Sequence, residues 1–337
     1  MTIIGMLYRR KDPDTVRKAY ACAAVAKMEG SMFYYFTLNN VKLDPEYIIG
    51  HIHENGEWIE RHFPFPDVIY NACSPRNRSE RKIYRELKKK IPFTSHPIGN
   101  KFSVYKRMQN SGKFEDVLIP SHEVSKGHEV MEYIFEYESV VIKPKKGSKG
   151  KEIMFVEQKP ESLLLTENSK TEEVSIEEAN KRIQKRLSTR SYILQPYIHC
   201  KTKNGNPFDF RIHIQKNGTG VWSINEIYPR IGKREGIVSN IHSGGYRTSL
   251  FDFLKEEYPI TYQRIYRSLE SLALEFPMNF EKLYECQFDE LGIDVGLQNG
   301  NQLKLFEVNW RPGCRNRELE TAKYLIDYAM YLAKNKI

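Results

Sequence analysis

The sequence lacks the features that would place it in a membrane or in a disulfide-bonded class. No apolar run approaches the roughly 20 residues that a membrane-spanning helix needs. The opening TIIGMLY has no basic leader, so we interpret it as a buried strand rather than a signal peptide. The five cysteines are widely spaced and form no CxxC pair, which argues against a zinc site and for a reducing compartment. We therefore expect a cytoplasmic protein with no membrane span.

Common nucleotide-binding and nucleic-acid-binding motifs are also missing. No GxGxxG follows the first predicted strand, and the segment KPKKGSKGKEI does not match the Walker A pattern. Neither an RNA-binding module nor an aromatic RNP-like stretch is present. The net charge of +9 suits nucleic acid, but it equally suits an enzyme that binds anionic phosphates. RNA binding stays an alternative, and it predicts a steep salt dependence.

The chain contains enough apolar residues for a folded protein of two or three packed subdomains. Apolar residues make up 40% of the chain and aromatic residues 12%, which excludes disorder, and 337 residues are too many for one small core. Residues 1–95 alternate strands and helices, which predicts a small parallel sheet. The strands are TIIGMLY, MFYYFTL and PDVIYNA, and the helices are TVRKAYACAAVAKMEG and SERKIYRELKKK.

The remainder of the chain mixes helices with strands. Residues 159–190 are polar and charged, which predicts a surface insertion with one helix at SIEEANKRIQKRL. Other helices are predicted at FSVYKRMQNSG, HEVMEYIFEYE, FDFLKEEYPITYQRIYRSLESLALEF, NFEKLYECQFDEL and NRELETAKYLIDYAMYLAKN. We predict an α/β (α+β) chain with domains at residues 1–98, 99–195 and 196–337.

The last strand, LKLFEVNW, ends in a carboxylate and an amide on one face. Asn299-Gly300 between two apolar runs predicts a hairpin with a two-residue type I′ turn. Such a turn pairs Asp294 with Leu305 and makes Glu307 the diagonal neighbour of Asp294, with Asn309 two residues further. The turn therefore predicts a cluster of these three polar side chains.

Two interpretations of this cluster are open. Three hard oxygen donors on rigid strands suit Mg²⁺, which prefers one or two carboxylates plus phosphates and water. Alternatively, Asp294 and Glu307 face solvent on an edge hairpin, although Leu303 and Leu305 would then share their face. A three-residue turn would send Asp294 to the opposite face from Glu307.

A Lys/Gly-rich tip between the strands VVI and MFV predicts an anion site. Glycines there let backbone N–H groups approach a phosphate, and Ser148 adds a donor. Lys143 lies inside the strand beside Ile142, and a lysine is rarely buried unless it is paired, which indicates an anionic ligand. The alternative is a solvated basic turn.

Several motifs together resemble a known family. VVIKPKKGSKGKEI, ILQPYI, DFRIHIQ, GIDVG and FEVNWRPG occur in the order found in ATP-grasp enzymes. PFDFRIHIQKNGTGVW, YPRIG, IVSNIHSGGY and ELGIDVG resemble more closely the YheC/YheD family of ATP-grasp proteins, described as spore-coat-associated. The resemblance implies an ATP-grasp fold preceded by a Rossmann-like pre-ATP-grasp domain at residues 1–98, and an association with spores.

The resemblance also implies sites for ATP, a metal ion and an acceptor. The nucleotide-binding residues it implies are Lys101, Lys143, Lys145, Gly147, Ser148, Lys149, Gly150, Gln195, Pro196, Tyr197 and Ile198. It implies that Asp294, Glu307 and Asn309 bind Mg²⁺, with Mn²⁺ as an alternative ion. The acceptor-recognising residues are expected to be Asn240, His242, Gly244 and Gly245, for which a plain glycine-rich loop is the alternative.

Arg211 and Arg230 match arginines that face the γ-phosphate and the acyl phosphate. The chain departs from the superfamily at Gly292, where many ligases carry an arginine, so oxyanion stabilisation is expected from Arg211, Arg230 or Arg311. Gln195 stands where an acidic residue is usual, and its amide can still accept from the adenine amine.

The implied function is an ADP-forming carboxylate–amine ligase that acts through an acyl phosphate. Its substrates would be small-molecule or peptide carboxylates and amines. A non-catalytic coat or assembly protein and an ATP-grasp kinase are the alternatives that keep the fold. The sequence does not distinguish the ligase from the kinase.

Overall fold

The computed structural model describes residues 1–145, 152–167, 170–234, 236 and 245–335. Helices and strands alternate through this part of the chain, and the strands form three separate sheets. The predicted α/β (α+β) class is confirmed. No helix in the described ranges is long and apolar enough to cross a membrane.

The secondary-structure elements follow one another with short connections. The strands are β1 (Ile3–Leu7), β2 (Met32–Phe36), β3 (Val41–Leu43), β4 (Glu46–Glu54), β5 (Glu57–Phe63), β6 (Val68–Asn71), β7 (His122–Val124), β8 (Ser139–Pro144), β9 (Met154–Gln158), β10 (Leu163–Glu167), β11 (Lys170–Val174), β12 (Tyr192–Pro196), β13 (Phe208–Lys216), β14 (Trp222–Ile231), β15 (Tyr246–Arg247), β16 (Glu290–Gln298) and β17 (Gln302–Asn309). The helices are α1 (Arg17–Met28), α2 (Arg78–Lys90), α3 (Lys101–Ser111), α4 (Gly127–Tyr137), α5 (Ile176–Leu187), α6 (Leu250–Glu257), α7 (Tyr262–Glu281) and α8 (Glu318–Asn335).

The first sheet is mixed rather than wholly parallel. β1 lies between β2 and β6 and pairs with both in parallel, as predicted. β4 pairs antiparallel with β2, β3 and β5, so the prediction is wrong for the segment between β2 and β6. The missed signal is Asn55-Gly56, where both residues have positive φ and connect β4 to β5 in a tight hairpin.

The C-terminal helix belongs to the core of the first sheet. Ala322, Leu325 and Ala329 of α8 are buried in one cluster with Ile4 of β1 and Ala19 of α1. α2 packs on another cluster, through Tyr84 and Leu87. The two ends of the chain are therefore joined in one packed layer, and α8 reaches back to the third sheet through β13.

The second sheet is antiparallel, in the order β11-β10-β9-β8-β12-β7. The prediction of a surface insertion at residues 159–190 is wrong. Leu163 and Leu165 of β10 are buried in the core of this sheet, and α5 covers it with Ala179 and Ile183. These two helix residues lie four positions apart on one narrow apolar stripe. The segment is otherwise charged, so its composition does not indicate a buried face.

The third sheet is antiparallel, in the order β15-β14-β13-β16-β17. Helix α7 continues through Pro277 to Glu281, so the prediction of a separate helix at NFEKLYECQFDEL is wrong. Glu281 instead holds the connection to β16, because its Oε1 accepts from the Phe288 amide at 2.8 Å and from Lys216 Nζ at 2.7 Å.

The third sheet has one apolar and one polar face. In β13, Phe208, Phe210, Ile212 and Ile214 alternate with Asp209, Arg211, His213 and Gln215. The apolar set lies in the same cluster as Phe253 of α6 and Leu269 of α7. The alternation is the period of two expected of a strand, but here both sets of side chains are buried. The polar face therefore has to satisfy its charges within the protein.

A buried ion cluster connects the first and third sheets. Glu290 of β16 is fully buried; it accepts from Lys18 of α1 at 3.2 Å and lies 2.8 Å from His213 Nε2. Burial raises the pKa of Glu290, but the positive charge of Lys18 and the His213 hydrogen bond outweigh it and lower the pKa to about 2. Arg311 binds Asp289 Oδ1 at 2.5 Å and donates to the Asn71 carbonyl of β6.

We predict that Glu290→Gln lowers the free energy of unfolding by about 3 kcal/mol, because Lys18 is then left buried without its carboxylate. Urea unfolding followed by circular dichroism measures the change. The control is Glu57→Gln on the exposed part of β5, which should change stability by less than about 0.5 kcal/mol. Equal stability of the two variants would show that the cluster does not hold the two sheets together.

Candidate active site

A cavity of about 350 Å³ lies between the second and third sheets. Its walls come from α3, β8, β12 and β17, so residues from both sheets face one another across it. The lining side chains that can bind a polar ligand are Asn100, Lys101, Tyr105, Ser121, Lys143, Lys145, Gln195, Glu307 and Asn309. Sequence reasoning singled out six of these nine, and it missed Asn100, Tyr105 and Ser121.

The register of the terminal hairpin differs from the predicted one. Three residues connect β16 to β17, so Gln298 pairs with Gln302 and Val295 with Leu305. The pairing then shifts between Asp294 and Val295, which leaves Phe306 as an extra residue and pairs Asp294 with Glu307. The predicted pairing of Asp294 with Leu305 is therefore wrong.

The two departures from the predicted register offset each other. The longer turn alone would have separated Asp294 from Glu307, and the bulge at Phe306 restores them to one face. Asn309 lies two residues beyond Glu307 on the same face. The bulge also explains the apolar residues of the strand, because Leu305 and Val308 both pack in the core of the third sheet.

Asp294 is buried between two arginines. Arg211 donates to both of its carboxylate oxygens, with Nη2 at 3.0 Å from Oδ2, and Arg230 Nη2 lies 3.0 Å from the same oxygen. Burial raises the pKa of Asp294, but the two guanidinium groups outweigh it and the pKa is lowered. Arg230 also binds Asp209, with Nε at 2.7 Å from Oδ1. Sequence reasoning missed Asp209, although this residue lies two positions before Arg211 and on the same face of β13.

Glu307 is paired with a lysine across the cavity. Its Oε2 lies 3.0 Å from Lys101 Nζ, at the first turn of α3, where the Asn100 side chain caps the helix. Both side chains are partly exposed, and Asn309 also faces the cavity. Each carboxylate of the predicted metal site is thus bound to a cationic side chain of the same chain.

The donors on this face fit a magnesium ion. Two carboxylates and one amide oxygen on adjacent strands are the hard ligands that Mg²⁺ prefers, leaving room for water and phosphate. In the part of the chain that the structure describes, no group of three or more His, Cys, Asp or Glu side chains forms a denser site. The fit therefore depends on the Asn309 amide as the third donor.

Lys143 faces the cavity from β8, opposite Ile193 of β12. It makes no ion pair with any of the described residues, unlike Lys101 and Lys145. Burial and, to a lesser extent, the nearby charge of Lys101 lower its pKa to about 8, and the opposing effect of Glu307 is smaller. An unpaired cation on a cavity wall is what an anionic ligand requires.

The other predicted nucleotide residues lie on or near the cavity wall. Lys145 Nζ is 2.7 Å from Glu123 Oε1, and the side chain of Gln195 donates to Ser121. Tyr197 packs against Phe155, with 4.5 Å between ring centroids. Neither Tyr197 nor its neighbours Pro196 and Ile198 lines the cavity, and Ile198 packs in the core of the third sheet.

Two predicted loops fall largely outside the described residues. The residues concerned are Gly147, Ser148, Lys149, Gly150, Asn240, His242 and Gly244. Gly245 is described and lies directly before β15. The roles expected for these residues stay predictions.

Arg311 lies apart from the other two predicted catalytic arginines. Its guanidinium contacts Asp289 and the Asn71 carbonyl and lies over the rings of Tyr70 and Trp310. These contacts connect the first sheet to the third, which is a structural role. The expected role of Arg311 in stabilising an oxyanion stays a prediction.

Arg211 occupies the space beside Gly292, the position at which many superfamily ligases carry an arginine. A side-chain carbon added to Gly292 would lie 3.3 Å from Arg211 Nη1 and 2.6 Å from Pro312 Cβ. A larger residue at 292 would thus clash with Pro312 and crowd Arg211. The guanidinium reaches the polar face from β13 in this chain, and the glycine leaves room for it.

Comparison with known proteins identifies relatives over most of the chain. Residues 90–332 match the family model described as YheC/D like ATP-grasp. The chain is 23% identical over 297 residues to the endospore coat-associated protein YheC of Bacillus subtilis (strain 168), which covers 84% of this chain and 81% of YheC. It is 22% identical over 329 residues to YheD of the same strain, covering 91% and 72%.

Solved structures share the fold at low sequence identity. N5-carboxyaminoimidazole synthetase from Staphylococcus aureus, complexed with ADP, has a TM-score of 0.58 at 9% identity and covers 97% of this chain and 77% of its own. A RiPP-associated ATP-grasp ligase from Chryseobacterium gregarium, in complex with ADP and a leader and core peptide, has a TM-score of 0.52 at 12% identity, covering 98% and 97%. The fold is therefore that of ATP-grasp proteins.

We predict that Lys143→Met raises the free energy of unfolding at pH 7 by about 2 kcal/mol, because the folded protein no longer holds a partly buried, unpaired ammonium. The folded pKa of Lys143 lies below its unfolded value, so wild-type stability should rise with pH above about 8. The gain from the substitution should disappear near pH 10.5, the ordinary pKa of lysine.

Lys145→Met is the matched control, since Lys145 lies two residues away and is paired with Glu123. It should not stabilise the protein. Urea unfolding at several pH values measures both variants. A Lys143→Met protein that is no more stable than wild type at pH 7 would show that burial of the charged Lys143 side chain does not destabilise the fold.

Proposed function

The chain belongs to the YheC/D-like ATP-grasp family, and we propose that it is an ATP- and Mg²⁺-dependent ligase that joins a carboxylate to an amine and releases ADP and phosphate. One observation carries the proposal. Lys101 and Lys143 face Glu307 and Asn309 across a single cavity, and Glu307 is paired with Asp294 on the polar face. The arrangement supports the proposal, because cations suited to phosphates lie beside oxygen donors suited to a metal ion.

ATP would bind in the cavity between the second and third sheets. Lys143 and Lys101 would contact the phosphates, with Lys145 beside them, and the chain from Gln195 to Ile198 would meet the adenine edge. The loop containing Gly147, Ser148, Lys149 and Gly150 would cover the β- and γ-phosphates. Support comes from the two solved structures reported above, both of which are described as complexes with ADP.

Asp294, Glu307 and Asn309 would hold Mg²⁺, with Mn²⁺ as an alternative ion. When bound, the ion would neutralise phosphate charge and so favour phosphoryl transfer. Each carboxylate would then exchange its present cationic partner for the metal. Lys101 and the two arginines would become available to the phosphates at the same moment.

Arg211 and Arg230 would stabilise the charge that develops during transfer. A substrate carboxylate oxygen forms a bond to the γ-phosphorus and ADP leaves, giving an acyl phosphate. The amine then attacks the acyl carbon, inorganic phosphate leaves, and a proton is lost from the new amide nitrogen. Arg230 would keep its contact with Asp209 after Asp294 turns to the metal, so it would stay in position for the reaction.

The acceptor would be recognised by the segment that follows β14, including Asn240, His242, Gly244 and Gly245. Arg311 is left out of the proposed catalytic group because its contacts connect two sheets. Small-molecule and peptide substrates both fit this scheme. A peptide has a precedent in the Chryseobacterium gregarium ligase, which is described in complex with a leader and core peptide.

A second candidate is an ATP-binding coat or assembly protein with little or no turnover. It is favoured by the names of YheC and YheD, both described as endospore coat-associated. Under this hypothesis the chain acts at the spore coat, whereas the ligase is expected to act in the cytoplasm. Both candidates require nucleotide binding, so turnover separates them.

We predict that the protein with Mg²⁺ and ATP releases ADP and phosphate only when a carboxylate and an amine are both supplied, because the acyl phosphate is shielded from water until the amine attacks. Pooled amino acids and short peptides are the substrates, and mass spectrometry detects the joined product. ADP release with a phosphorylated single substrate would indicate a kinase. AMP and pyrophosphate would contradict the proposal.

We predict that Arg230→Ala lowers kcat by about a hundredfold or more, because Arg230 acts on charge that is present only in the transition state. The KM for ATP should change little. Arg264→Ala on the exposed side of α7 is the matched control and should leave kcat unchanged. A thermal unfolding curve shows whether Arg230→Ala is folded. A folded variant with wild-type kcat removes Arg230 from this role.

A further inference from the structure

A second group of arginines lies on the polar face of the third sheet, beyond Arg211 and Arg230. Arg247 of β15 and Arg317, just before α8, both contact one carboxylate, that of Glu226 on β14. Arg317 Nη1 lies 2.6 Å from Glu226 Oε2, and Arg247 Nη1 lies 3.3 Å from the same oxygen. We call Arg247 and Arg317 the outer arginine pair.

The outer arginine pair adjoins the proposed reaction site. Arg247 pairs with Arg230 across β14 and β15, so the two side chains share a face. The Arg247 guanidinium carbon lies 5.3 Å from the centre of the Tyr228 ring, and Tyr228 in turn pairs with Arg211. Arg247 is therefore the cross-strand neighbour of Arg230 and lies over the tyrosine that is paired with Arg211.

The outer arginine pair carries more positive charge than its surroundings neutralise. Two guanidinium groups share one oxygen of Glu226, and neither forms an ion pair with another acid among the described residues. The inner arginines, by contrast, have two carboxylates, Asp209 and Asp294.

Two further observations indicate room for a ligand. The side chains of Arg247 and Glu226 are about one-third exposed, at 35% and 31%. Arg317 Nη1 is buried, and its close contact with Glu226 lacks the alignment of a hydrogen bond. One N–H donor of Arg317 is therefore left without a well-aligned acceptor at the outer arginine pair.

We propose that the outer arginine pair binds a second carboxylate of the acyl donor, so that the donor is a short dicarboxylate. This rests on the proposed ligase function. Cross-strand neighbours such as Arg230 and Arg247 have Cβ atoms about 5 Å apart, so a short dicarboxylate can reach both side chains. In the free protein Glu226 stands in for the substrate carboxylate and holds both guanidinium groups in position.

The alternative is that Glu226 only clamps β15 and the segment before α8 to β14. The two hypotheses predict opposite effects of Glu226→Gln on ligand binding. If Glu226 competes with a substrate carboxylate, its neutralisation strengthens dicarboxylate binding. If it is only a clamp, its loss disorders the arginines and weakens binding.

The test measures the binding of glutarate and of valerate, which have equal chain lengths, to the full chain loaded with Mg²⁺ and a non-hydrolysable ATP analogue. Calorimetry gives both affinities without turnover. We expect glutarate to bind at least about tenfold more tightly than valerate, because bidentate arginine–carboxylate contacts are strong and directional. Arg247→Gln and Arg317→Gln should remove this preference, and Glu226→Gln should increase it.

Arg264→Gln is the control for a general change in charge and should keep the wild-type preference. Equal affinity for glutarate and valerate, or no binding of either, overturns the inference, as does an unchanged preference in both outer-pair variants. Weaker glutarate binding in a folded Glu226→Gln protein favours the clamp and also overturns it. If the ATP analogue itself does not bind, the proposed function fails as well, which keeps the two failures distinguishable.

Discussion

The extra residue in the last strand determines which side chains face the site. Because Phe306 has no partner on β16, Glu307 and Asn309 point to the polar face while Leu303, Leu305 and Val308 stay in the core. Without the bulge, the three-residue turn would place Asp294 and Glu307 on opposite sides of the sheet. The candidate metal site and the cavity wall both depend on this one irregularity.

The carboxylates of the polar face, from buried Asp294 to partly exposed Glu307 and Glu226, are matched by cations from the same chain. Asp294 is held by Arg211 and Arg230, Glu307 by Lys101, and Glu226 by the outer arginine pair. In each case the cation is one that an anionic substrate would also need. Metal ions and phosphates would therefore exchange partners with these side chains together, so their binding should be thermodynamically coupled. Lys143 is the exception, since it pairs with no carboxylate among the described residues and has a lowered pKa.

The sequence was sufficient for the fold class and for six of the nine polar residues of the cavity wall. The turn and strand pattern indicated Glu307 and Lys143, whereas Lys101 and Gln195 came from the family resemblance. What failed depends on contacts far apart in the chain. The bulge at Phe306 leaves no clear mark in composition, and the role of Arg311 depends on Asn71, a distant residue of the first sheet. The α5 segment is a separate case. It is polar on average, and its buried residues form a pattern only along one face of the helix.

The central claim is that Asp294, Glu307 and Asn309 form a magnesium site against bound nucleotide. Calorimetric titration of a non-hydrolysable ATP analogue with and without Mg²⁺ tests it most directly. The account predicts that Mg²⁺ tightens binding by about tenfold or more and that Glu307→Gln removes most of this gain. Equal affinity with and without the ion in the wild-type protein would contradict it.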